Sequence, residues 1–296
     1  MLLIKGLFFQ VFLFIIVGYL LASFFRRRLE AGLDYFTKVA LYFLFPSFIL
    51  ITMWQNSAQV IATQKIVVVA VMVVIFGHLW ALFFSHVFKK SFRQISLPLI
   101  YMNTAYLAIP INTYLFGALG AAASIVYSVN ITLLIFSIGL YLVGDVSNKI
   151  GRLKEILQLP ILYAAILGIL LSWKQVPFPP FILPFAKVLQ TAVLPIMLVF
   201  VGYQLKSAYQ SLYWQAFWGV MFRMGGGLIV SFILVKILGL TGVEAGVCLV
   251  SSSMPPAINT YILSKRFGGD SQLAAAMIFW GIILCPLVIV LISYIR

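Results

Sequence analysis

Apolar runs of about 20 residues, the length an α-helix needs to cross a hydrocarbon layer at 1.5 Å per residue, recur from one end of this chain to the other. They place spans at about residues 6–25, 35–54, 64–88, 95–117, 120–144, 156–173, 182–205, 211–239, 243–266 and 271–295. No soluble fold can bury ten such segments. Hydrophobic residues make up 64% of the chain and charged ones 9%, against roughly 45–50% and 25% in soluble domains. The first run reads as a span and not as a cleaved leader, because it is too long and lacks a small-residue cleavage site before Arg26, Arg27 and Arg28. The expected fold is an all-α membrane protein of about ten transmembrane helices. The bilayer is its first partner, and a multi-pass place in the cell (inner or plasma) membrane is expected.

A net charge of +14 would suggest nucleic acid as a partner for a soluble protein, but its distribution has a membrane explanation. Basic residues crowd alternate loops: Arg26, Arg27, Arg28 and Lys38; Lys89, Lys90 and Arg93; Lys149, Arg152 and Lys154; Lys206; Lys265 and Arg266. The intervening loops hold little beyond Lys65 and Lys174. Cytoplasmic loops collect Lys and Arg, so both termini are expected outside, and no nucleic-acid partner is implied.

The chain also repeats itself. AIPINTYLFGALG, from Ala108, and PPAINTYILSKRFGG, from Pro255, share INTY, with Asn259 standing 147 positions after Asn112. Gly18 and Gly168, Pro46 and Pro195, and Ala121–Ala123 and Ala274–Ala276 recur at nearly the same interval and in the same order. Two halves of five spans, residues 1–147 and 148–296, must enter the membrane from opposite sides because five is odd. Inverted repeats of this kind are typical of secondary transporters with a site near the midplane.

Spans four and nine place prolines in mid-membrane: Pro110, and Pro255 with Pro256. Proline lacks an N–H and clashes with the carbonyl four residues back, and backbone groups freed in lipid must be buried in protein or face a cavity. Crossed, broken spans would aim the N-termini of short segments starting near Asn112 and Asn259 at the midplane, a cradle for an anion. Asn103, Thr104, Asn112, Thr113, Asn259 and Thr260 surround the breaks, with Ser251, Ser252 and Ser253 serving either the site or helix-to-helix bonding. Arg223, near the middle of span eight, either binds the anion or pins carbonyls at a break, and Gly225, Gly226 and Gly227 after it suggest close helix packing.

All six acids, Glu30, Asp34, Asp145, Glu155, Glu244 and Asp270, fall in loops or at helix ends. A proton antiporter built on buried aspartates therefore finds no support, and His78 reads as packed. Cys248 and Cys285 lie in apolar segments and imply neither disulfide nor metal. No phosphate loop, metalloprotease helix or nucleophile elbow occurs, so neither an enzyme nor a cofactor is expected. The coupling ion, sodium or proton, stays open.

With these residues in place, the chain resembles the auxin efflux carriers, whose members include the plant PIN proteins and short bacterial homologues. NTAYLAIPI is similar to that family's fourth-span motif, MPPAINTYILSKRFGGD to its ninth, LPIMLVFVG to its seventh and FLFPSFIL to its second. The resemblance implies a ten-helix fold like that of bile-acid symporters and sodium/proton antiporters. Spans one, two, six and seven would form a scaffold, and the others an elevator-type transport domain. It implies that Asn103 is the substrate-contacting asparagine and that Pro110 and Pro255 are the crossing prolines. A homodimer through the scaffold is also implied. Ala105 and Ala108 stand where glycines are frequent in the family, and the short central loop, about residues 145–155, points away from auxin toward small carboxylates. The expected function is secondary transport of a small organic anion. The alternatives are a sodium-coupled symporter of larger amphipathic anions and a non-transporting receptor.

Overall fold

Backbone amides in lipid must find partners within their own segment, and helix is accordingly the only regular structure among the described residues, apart from one isolated antiparallel bridge. The structure, a computed structural model, describes residues 11–24, 39–61, 64–143, 160–208 and 214–295. The basic clusters around residues 26–28 and 149–154, four of the six acids, and the expected junction between the halves lie outside these residues.

Helix α1 is Val11–Phe24. A widened π turn, Ala40–Leu44, leads into α2, Phe45–Ile61. Next come α3, Lys65–Val87, and the short α4, Phe92–Ile100. A second π turn, Thr104–Ala108, opens α5, Ile109–Leu134, which reverses direction at Gly117 (φ 66°, ψ −152°) and runs through a third π turn into α6, Leu140–Val143. The rest of the chain is α7, Pro160–Trp173; α8, Leu183–Ala208; α9, Trp214–Ile237; the short α10, Gly242–Ser252; the short α11, Ile258–Phe267; and α12, Ser271–Ile295. Five stretches, Lys65–Val87, Thr104–Gly139, Pro180–Tyr203, Trp214–Ile237 and Ser271–Ile292, are each long and apolar enough to span a membrane. Their outer faces confirm the solvent. Leu79, Leu82 and Phe83 on α3, and Ile229, Ile233 and Ile237 on α9, are exposed at helical spacing, a pattern that only lipid tolerates around an otherwise apolar helix.

Without a hydrophobic force between helices in lipid, close approach of small residues supplies the packing. Gly18 lies so near α8 that a Cβ would overlap the Val199 carbonyl, and Gly168 of α7 lies against the Leu50 carbonyl of α2 in the same way. Likewise, Gly77 of α3 sits on Ile100 at the end of α4, and Gly227 of α9 on Ser252 at the end of α10. Gly226 meets the Trp80 ring, whereas Gly225 has open space around it, which corrects the expectation that all three consecutive glycines pack closely. Proline 98, inside α4, cannot bond the Gln94 carbonyl, and the Asp270 amide takes that acceptor at 2.9 Å.

Candidate functional site

The two short helix pairs meet where each is interrupted. α4 ends at Ile100, Tyr101 turns extended (φ −100°, ψ 128°), and a new helix starts at Thr104 with Asn103 as its cap. The Asn103 Oδ1 accepts the Tyr106 N–H at 3.2 Å, the usual role of an asparagine before a first turn. α10 ends at Ser252, and Pro255 and Pro256 carry the chain to α11 at Ile258. The breaks lie antiparallel, with Met102 bridging Pro256. The Asn103 N–H donates to the Pro255 carbonyl at 2.8 Å, and the Ala257 N–H to the Tyr101 carbonyl at 3.0 Å. Two unwound segments thus satisfy part of each other's main chain, as backbone freed in the membrane must be within protein.

The break in span four is not where the sequence suggests. Pro110 stands in the first turn of α5, helical on both sides, and Asn112 lies further along that helix. The preceding π turn explains it: the Ile109 N–H reaches back five residues to the Thr104 carbonyl, so the widened turn accommodates the proline ring that an α turn would exclude.

A helix leaves its first N–H groups without internal partners. At Thr104 and Tyr106 they are answered by the Met102 carbonyl and Asn103, and at Thr260 by the Ala257 carbonyl. The N–H groups of Ala105, Ile258 and Asn259 have no protein acceptor among the described residues. All three residues line one cavity of about 30 Å³, together with Asn103, Thr104 and Thr132, room for about two water molecules. The Asn103 amide nitrogen, in a side chain 2% exposed, has no protein partner either. Two helix starts, the positive ends of their dipoles, and a spare side-chain amide thus lie among the residues lining this cavity.

Behind it lies a buried polar layer. The Asn112 Nδ2 donates to Ser124 and Ser251, each at 3.0 Å, while its Oδ1 is unpaired. Thr104 donates to Ser128 at 3.1 Å, and the Tyr127 and Ser252 hydroxyls are 2.8 Å apart. Arg223, fully buried, donates to the Ser252 carbonyl at 2.7 Å and so pins the end of α10, the second of its two expected roles. Of the residues singled out in the sequence, Asn103, Thr104 and Asn259 share the cavity, and Pro255 and Pro256 form the break. Pro110 instead borders an apolar cavity of about 290 Å³ with Thr113, Thr191 and Pro195. The Thr260 hydroxyl is engaged by the Ala257 carbonyl. Sequence reasoning missed Ser124, Ser128 and Thr132, although their spacing of four marks one face of a helix.

Long apolar helices, with two short helix pairs interrupted where they meet beside a small cavity, are the frame of a membrane transport protein. The profile of the family described as membrane transport protein matches residues 145–293. An uncharacterized transporter of Methanocaldococcus jannaschii is 30% identical over 285 residues, covering 91% of each chain. The chain belongs to this membrane transport protein family, that of the auxin efflux carriers.

Proposed function

We propose that this protein is a secondary transporter of small organic anions, binding a carboxylate at the crossing of the two breaks and carrying it by an elevator movement. The observation that carries this reading is that Asn103, with its unpaired Nδ2, and three residues with unclaimed helix-end amides line one cavity. A carboxylate offers the four lone-pair positions that such donors need. The moving domain comprises α3 to α6 and α9 to α12, and the scaffold α1, α2, α7 and α8. The matched contacts support an inverted pair of five-helix halves: Gly18 on Val199 with Gly168 on Leu50, and Asn103 on Pro255 with Ala257 on Tyr101. On this reading both termini face outward, the membrane is the cell membrane, and two copies pair through their scaffolds.

The test separates binding from folding. Asn103→Asp keeps an acceptor for the Tyr106 amide but replaces the spare donor with a negative oxygen. It should retain thermal stability and lose anion binding and uptake at least about 10-fold, since a hydrogen bond to a charged group contributes roughly 1.5–3 kcal/mol. Asn103→Ala should lose both. Unchanged transport of a panel of radiolabelled small carboxylates by Asn103→Asp in liposomes would place the site elsewhere.

A further inference from the structure

The charges around the crossing lead beyond the identity of the solute. Arg223 reaches a single acceptor, the Ser252 carbonyl, and its Nε and Nη1 have no protein partner. No carboxylate among the described residues neutralises it: Glu244 lies in the first turn of α10, and Asp270, beyond the far end of α11, pairs with Lys90 at 2.6 Å. The matching end of α4 is served by a neutral group, the Trp80 indole, which donates to the Leu99 carbonyl at 3.1 Å. The two C-terminal helix ends at the crossing are thus capped unequally, one by an uncharged ring and one by a full positive charge. The charge is enclosed, with Arg223 fully buried, and Gly227 leaves room for it: a Cβ there would lie 2.9 Å from the Arg223 Nη1 and overlap the Ser252 carbonyl. An enclosed, unpaired charge in the membrane interior is costly and marks function.

We propose that Arg223 is the voltage-sensing charge of this protein. It is the one fully buried charge among the described residues, so that a negative-inside potential draws the empty domain to the cytoplasmic side; a bound monoanion cancels the charge and releases the domain outward. The empty carrier therefore waits at the cytoplasmic side. This rests on the moving-domain reading above, and the experiment keeps the two apart.

Protein with Cys248 and Cys285 replaced by alanine and Asn259 by cysteine, or Thr132 by cysteine as a second reporter, is reconstituted into oriented vesicles without substrate. A potassium gradient with valinomycin sets the potential, and a membrane-impermeant maleimide applied to either face reports which side the crossing faces. One charge moving through the whole field is worth about 2.3 kcal/mol per 100 mV, a bias of about 50-fold. A quarter of the field gives about threefold. Arg223 and Arg223→Lys proteins should show a bias in this range toward the negative side. Arg223→Gln, neutral yet able to donate to the Ser252 carbonyl, should show none, and Arg223→Met is a second neutral variant. Labelling from both sides without voltage bias in the Arg223 protein overturns the inference and leaves the carrier reading standing; the same bias in the neutral variants also overturns it. Labelling from one side only at every potential overturns the moving domain, and the inference with it.

Discussion

Asn112 and Asn259 share a tetrapeptide but perform different tasks. Asn259 borders the cavity, while Asn112 ties α5 to α10 through Ser124 and Ser251. The bridge pairs Met102 with Pro256, 154 positions apart, whereas INTY recurs at 147. The difference of seven residues is about two helical turns, so the repeat marks the right face of span four at the wrong height. Asn103 was legible because an asparagine-threonine pair before a mid-span proline is a side-chain signal. The donors at Ala105 and Ile258 were not, since a main-chain N–H leaves no trace in residue identity. Asn112→Ala should lower stability by about 1–3 kcal/mol, the cost of stranding buried hydroxyls, with carboxylate affinity changed less than about twofold. Thermal unfolding and equilibrium binding in detergent check both halves of that statement.

Each proline in the broken spans has a different structural outcome, fixed by what becomes of the acceptor it cannot serve. Pro98 surrenders the Gln94 carbonyl to the Asp270 amide, Pro110 rides on a π turn, and Pro255 with Pro256 ends helical pairing outright. Hydropathy located the five long apolar stretches because it needs only composition, but the position of a break depends on partners distant in the chain. Pro110→Ala should therefore change stability by less than about 1 kcal/mol, as for a residue already in a helical turn, and should preserve transport. The double change Pro255→Ala with Pro256→Ala lets α10 propagate toward α11, breaks the bridge to Met102 and should abolish transport. Flux in liposomes ranks the two, and equal losses would contradict the assignment of the break.

Across the whole molecule, α1 meets α8 and α2 meets α7 by matched backbone approaches. Gly18→Val and Gly168→Val force a side chain into a neighbouring carbonyl and should each cost about 1–3 kcal/mol, by similar amounts. A melting series in which one is tolerated and the other is not would rule out the symmetric arrangement. Gly18 and Gly168, which recur in the sequence at an interval of 150, make matched approaches to a neighbouring helix, although residues 144–159 lie outside the described residues. The cavity between the breaks has one further consequence. At about 30 Å³ it has room for about two water molecules, so an organic anion would enter it only if the helices around the crossing part.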